Sequence, residues 1–146
     1  MTNLTQHSFR LRKADIDAMQ AYAAKMRMPF SSLIRNAWQL YVKERSLPAG
    51  QSLAITKRGS VWQKIRSYVP AAELDVACVQ YSFRVPKDVL AAMKEFPDSD
   101  IKHLRFWQVN AAAWGLYKLA YSSAINHTLA VVDAKGRVVE YVLIKT

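Results

Sequence analysis

Three polar side chains, Gln6, Ser8 and Arg10, alternate with His7, Phe9 and Leu11, and the same types return as Gln80, Ser82 and Arg84 among Tyr81, Phe83 and Val85. Alternation of this kind puts each polar trio on one face of a short strand and its apolar neighbours on the other. An amide, a hydroxyl and a guanidinium offer donors and acceptors but no activated nucleophile, so the chemistry of such a face is hydrogen bonding to a patterned polar edge. Bond-making chemistry has no comparable set. His7, His103 and His127 are scattered without metal-ligand spacing, no Gly-rich phosphate loop occurs, and the pairs Asp15/Asp17 and Asp98/Asp100 fall at helix ends or turns. The expectation is a protein that binds rather than catalyses, with no metal and no cofactor.

The elements that carry the two trios are copies of one unit. Residues 6–19, QHSFRLRKADIDAM, return at 80–93 as QYSFRVPKDVLAAM, and NAWQLY at 36–41 returns as AAWGLY at 112–117. The offset grows from 74 to 76 residues between these blocks, so a two-residue insertion separates them. Two short units suit a pseudo-symmetric pair around a shared core, whereas a solenoid needs about three or more. After each strand the period becomes helical, through Ile16, Met19, Ala23 and Met26 in the first copy and Leu90, Met93 and Phe96 in the second. Pro86 suits the first turn of the second copy's helix, and Asp15 and Asp88 complement helix N-termini. Breakers follow at Met28-Pro29-Phe30-Ser31 and Pro97-Asp98-Ser99-Asp100, the latter holding the extra residues. A second apolar stripe then runs through Leu33, Ile34, Ala37, Trp38 and Tyr41, answered by Val109, Ala113, Trp114 and Tyr117, with Ser31 or Ser32 as its expected N-cap. The unit is strand, helix, turn, helix, and the Trp and Tyr stripe reads as core.

Bulk properties agree with one folded domain over residues 1–146: 51% of residues are hydrophobic and four are Trp. A net charge of +10 favours a polyanionic partner, nucleic acid before an anionic membrane surface. No apolar run approaches the ~20 residues that span a bilayer, and Met1 to Gln6 is polar without a signal-peptide core, so a cytoplasmic location is expected. Cys78 is the sole cysteine, which excludes an intramolecular disulfide and reads as a small buried or half-buried thiol.

Between the copies, residues 46–78 form a connector. Breakers at Pro48-Ala49-Gly50 and Lys57-Arg58-Gly59 precede Val61, Trp62, Ile65, Tyr68 and Val69, whose spacing predicts a short amphipathic helix between Gly59 and Pro70 acting as a strut. Its cations Lys57, Arg58, Lys64 and Arg66 are secondary candidates for touching nucleic acid. In the tail, 122–146, the runs LAVV and RVVEYVLI flank Asp133-Ala134-Lys135-Gly136 and predict a hairpin that covers the core or offers an edge to a protein partner or another copy.

Strand-helix-turn-helix order with Gln, Ser and Arg on one strand face resembles the ribbon-helix-helix proteins of the MetJ/Arc superfamily. The resemblance covers about residues 5–45 and 79–121. The second copy, Phe83-Arg84-Val85 followed by Pro86-Lys87-Asp88-Val89-Leu90, matches the strand-to-helix junction better, since the first copy has Arg12 in place of proline. Members of that superfamily pair two strands into an antiparallel ribbon that enters the DNA major groove, usually as dimers. The resemblance therefore implies a mainly α fold with short β elements, a single-chain pseudo-dimer. Gln6, Ser8, Arg10, Gln80, Ser82 and Arg84 would contact bases, and Arg12, Lys13, Ser31, Ser32 and Lys87 would contact phosphate. The implied partner is double-stranded DNA carrying an approximate inverted repeat, and the implied role is repression or accessory work at a conjugative transfer origin. The alternative is a protein-binding module of antitoxin or inhibitor type whose ribbon no longer reads DNA.

Overall fold

Both Gln-x-Ser-x-Arg runs lie in strands, and each strand runs directly into a helix. The structure is a computed structural model that describes residues 4–71, 76–95, 106–121 and 127–142. In the first copy β1 (Leu4–Arg12) leads into α1 (Lys13–Lys25) and α2 (Phe30–Arg45). The connector supplies β2 (Ser52–Lys57) and β3 (Ser60–Ile65). In the second copy β4 (Cys78–Pro86) leads into α3 (Lys87–Glu95) and α4 (Phe106–Tyr121), and β5 (His127–Val132) and β6 (Val138–Tyr141) follow. All strand pairing is antiparallel, in one sheet of order β1-β4 and another of order β3-β2-β5-β6. Among the described residues no helix is long and apolar enough to cross a membrane.

Local chemistry explains the junctions. Arg12 sits at φ −63°, ψ 128°, close to the φ that a proline ring imposes, which is why Pro86 suits the equivalent place in the second copy. Pro86 itself closes β4 instead of entering the first helical turn, because it still pairs with Leu4 in the ladder. Helix α1 ends in a Schellman arrangement, Met28 N–H donating to the Ala23 carbonyl (3.0 Å) and Arg27 N–H to that of Ala24 (3.2 Å). The αL position of this motif usually falls to glycine; Arg27 holds it at φ 55°. The expected cap at Ser31 or Ser32 is corrected: Pro29 is the N-cap residue of α2, with its carbonyl accepting from Ser32 and Leu33. Phe30 is drawn into the helix because its ring packs edge-on against Tyr81 at 4.8 Å.

Two further expectations are corrected. The fold is mixed α and β, not mainly α, because a four-stranded sheet accompanies the two-stranded one. The connector helix between Gly59 and Pro70 is instead strand β3, joined to β2 through Arg58 and Gly59 at φ 54° and 81°. Two consecutive positive-φ residues between paired Lys57 and Ser60 make the tight turn whose twist matches antiparallel strands. The helical spacing misled because Ile65 is buried while Trp62 and Tyr68 are exposed, so the five apolar residues never shared one buried face. The tail does form its hairpin, where Asp133 Oδ1 accepts from the Lys135 and Arg137 amides at 2.9 Å. Strand β5 also pairs with β2 along its length, so the hairpin is half of the larger sheet.

The helices pack both within the first copy and between the copies. Helix α2 lies against α4, α1 against both α2 and α4, and α3 against α2. Under the β1-β4 pair, Phe9 stacks on Phe83 (4.7 Å), and Trp38 meets both rings edge-on at 5.0 and 5.2 Å. Trp38 Nε1 donates to Asn110 Oδ1 at 2.8 Å. At the place corresponding to Asn110 the first copy has Ile34, so the Trp114 indole lacks the matching asparagine and packs with Tyr22 and Tyr117.

Burial in that tyrosine group has a pH consequence. Burial, with repulsion from the Tyr22 phenolate second, pushes Tyr117 up to about 12, and burial also raises Tyr121 and Tyr22. In the unfolded chain tyrosine titrates near ~10, so between about pH 10 and 12 the folded state keeps a proton that the unfolded state has lost. Stability therefore falls as pH rises through that window. The urea midpoint should drop between pH 10 and 12, and Tyr117→Phe should flatten the drop; an unchanged slope would remove Tyr117 from this account.

Candidate nucleic-acid interface

The two polar trios come together on one surface. Strands β1 and β4 pair along their whole length, from Leu4↔Pro86 to Arg12↔Cys78, and Ser8↔Ser82 is the central pair. The ladder is prolonged by one bond, Lys13 N–H to the Ala77 carbonyl at 2.9 Å. On either side of the centre the register is crosswise, Gln6↔Arg84 and Arg10↔Gln80. A two-fold rotation through the Ser8–Ser82 pair thus exchanges one Gln-Ser-Arg set with the other. The two serine hydroxyls are 2.6 Å apart and hydrogen-bonded.

All six of these side chains are exposed, and the opposite face carries buried Phe9, Leu11, Phe83 and Val85 with half-buried His7 and Tyr81. The apolar side thus fixes which residues face outward, since a one-residue slip in register would bury the polar set. Neither β1 nor β4 contains an acidic residue. Arg10 and Arg84 are both exposed, and among the described residues neither has an ion-pair partner. A face of this kind can offer two arginine forks, two amides and a central hydroxyl pair to an extended polar surface.

The expected phosphate-binding residues fall in different circumstances. Arg12 makes a two-pronged pair with buried Asp15, both contacts at 2.9 Å, and its guanidinium carbon lies 5.3 Å from the centre of the Trp107 ring. That engagement ties Arg12 to the scaffold. Lys13 pairs with Asp17 at 2.7 Å in full solvent, a contact weak enough to exchange. Lys87 is exposed at the first position of α3. Ser31 and Ser32 lie half-buried in the first turn of α2, where the helix dipole favours an anion, while the Ser32 amide itself donates to the Pro29 carbonyl. Arg35 was not anticipated there; its Nη2 lies 3.4 Å from Ser32 Oγ, so it adds positive charge to the same turn. Its spacing of three residues from Ser32 is the signal that could have found it. The second copy's inter-helix turn, residues 96–105, lies outside the described residues. Cys78 is half-buried opposite Arg12 at the end of the ladder.

The Arg12–Asp15 pair has Pro86 and Val89 as its counterparts, and Val89 is buried as Asp15 is. Removing one partner leaves the other poorly solvated, so Asp15→Ala should cost about 1–3 kcal/mol in urea denaturation. Exchanging both for the second copy's residues, Arg12→Pro with Asp15→Val, should recover most of that loss. A neutral Asp15→Ala would mean that the pair behaves as a surface contact.

The sequence matches no family model, and comparisons with curated proteins and with solved structures gave no match.

Proposed function

We propose that this chain is a tandem ribbon-helix-helix protein, a pseudo-dimer in one polypeptide, that binds double-stranded DNA sequence-specifically by inserting the β1-β4 ribbon into the major groove. The observation that carries this reading is the Ser8–Ser82-centred register, which gathers two equivalent Gln-Ser-Arg sets on one exposed, acid-free face. Two strands about 4.8 Å apart, with side chains added, suit a groove about 12 Å wide. Arginine can fork onto guanine O6 and N7, glutamine can bridge adenine N6 and N7, and serine can donate or accept. Pseudo-symmetry favours an approximate inverted repeat. Arg84 lies opposite Gln6 and so four residues along the ribbon from Arg10; at ~3.4 Å per residue and ~3.4 Å per base step, their bases are about four base pairs apart.

Phosphate anchoring falls to the first turn of α2, with Ser31, Ser32 and Arg35, and to Lys13 and Lys87 beside the ribbon. The biological use is repression or service at a conjugative transfer origin, both cytoplasmic. A footprint on DNA from the gene's own neighbourhood tests this: protection over a promoter supports repression, protection beside a nicking site supports transfer, and no protected site contradicts the reading.

A second reading, a protein-binding module, draws on the short edge strand β6, where Val139 and Tyr141 are exposed. An open edge of this kind can add a partner's strand. Because β5 is an inner strand of the sheet, deleting the tail would dismantle the sheet, so Val139→Lys with Tyr141→Ser is the cleaner variant. Loss of a pull-down with DNA binding intact would favour this second reading.

A further inference from the structure

The two most exposed large hydrophobic side chains lie away from the ribbon strands, on the edge strand β3 and the segment after it. Trp62 is 58% exposed and Tyr68 66%. Trp62 lies at an irregularity in the ladder, between Val61, which pairs with Thr56, and Gln63, which pairs with Ile55. Its indole stacks on His127 of β5 at 4.8 Å and 25°, which holds the ring in place while the residue as a whole stays more than half exposed. Tyr68 lies beneath the Arg66 guanidinium at 4.8 Å. The two rings are six residues apart, at most about 22 Å along an extended chain.

Along this segment the charge has one sign. From residue 45 to 72 the sequence contains no Asp or Glu, while Lys57 precedes the β2–β3 turn, Arg58 lies in it, and Lys64 and Arg66 continue along and beyond β3, all exposed. Glu44, which precedes the segment at the end of α2, accepts from the Ser67 amide and hydroxyl. A fixed aromatic ring amid cations is what a single-stranded nucleic acid needs, since an unpaired base stacks on an open ring and its phosphates seek positive charge. A duplex does not offer its base faces. Helix α2 separates this edge from the ribbon: Phe30 at one end meets Tyr81, and Glu44 at the other holds Ser67, about 21 Å apart at ~1.5 Å per residue.

We propose that the β3 edge, centred on Trp62 with Lys57, Arg58, Lys64 and Arg66, is a second binding site, for single-stranded nucleic acid, separate from the ribbon. The full-length protein is titrated with fluorescein-labelled 15-mers of deoxythymidine and of uridine at low salt, the two arms separating DNA from RNA as the source of the strand. Trp62→Ala weakens binding of the 15-mer about 5- to 150-fold, the range of one base–aromatic stack, while Trp62→Phe keeps most of the affinity. Intrinsic fluorescence gives a second readout, because Trp38, Trp107 and Trp114 are buried: the quench that the 15-mer causes in the parent disappears in Trp62→Phe. Binding of the ribbon's duplex is unchanged in Trp62→Ala, and Arg10→Ala/Arg84→Ala leaves 15-mer binding intact, so failure at one site is distinguishable from failure at the other. Parent-like 15-mer affinity in Trp62→Ala overturns the proposal, as do failure of both 15-mers to bind, displacement of the 15-mer by saturating duplex, and equal loss of duplex and single strand.

Discussion

Arg10→Ala combined with Arg84→Ala should bring binding to the preferred duplex close to that of a random duplex of the same length. Each arginine fork on a guanine contributes about 1–3 kcal/mol of discrimination. The two sit four residues apart along the ribbon, about 14 Å at ~3.4 Å per residue, beyond the distance at which substitutions usually couple. Their effects should then add to about 2–6 kcal/mol of discrimination, roughly 30- to 20,000-fold at 1.4 kcal/mol per decade. Affinity for random duplex should fall much less, through lost phosphate attraction. Lys13→Ala is the counterpart: it should weaken both duplexes alike and reduce the salt slope by about one. Competition anisotropy at two salt concentrations separates these outcomes. Equal losses on every sequence in the double arginine variant would mean that the guanidinium groups serve phosphate and not bases.

The largest effect on stability is expected at Trp38. It is completely buried beneath the ribbon, touches Phe9 and Phe83, and donates to Asn110, itself completely buried. Truncating a buried tryptophan to alanine costs about 3–5 kcal/mol, a large part of the ~5–15 kcal/mol that holds an ordinary domain together. Trp38→Phe retains an aromatic ring but strands Asn110 Oδ1, so about 1–3 kcal/mol should go. Adding Asn110→Leu removes the stranded acceptor and should recover part of that loss. Urea denaturation midpoints test the series. No recovery in the double variant would show that ring shape, not the hydrogen bond, dominates at this position.

What could be read from residues alone was local and periodic. Alternation through Phe9 and Phe83 located both ribbon strands, and the helical intervals after Arg12 and Pro86 located the first helices. Matched Trp38 and Trp114 identified core positions, and both are buried. Elements decided by distant partners were not legible. Strand β3 reads as a helix because Val61, Trp62, Ile65 and Tyr68 fit helical spacing; its strand form comes from pairing with β2, which is paired in turn with β5 far along the chain. The crosswise ribbon register, Gln6 opposite Arg84, likewise depends on how the two copies dock. So does the Trp38–Asn110 bond across 72 residues, for which the first copy, with Ile34, gives no hint. From its place beside the strand Arg12 is expected to contact phosphate; Asp15, three residues on, is close enough to claim it once the helix forms.

Whether the ribbon reads bases is tested most directly by selecting bound duplexes from a randomised pool with the full-length protein and then methylating guanine N7 in the winners. The account predicts an approximate inverted repeat whose two guanines lie on opposite strands about four base pairs apart, each sensitive to methylation, with Arg10→Ala relieving one and Arg84→Ala the other. A pool that stays random after selection, or a preferred site insensitive to N7 methylation, would contradict major-groove readout by the β1-β4 ribbon.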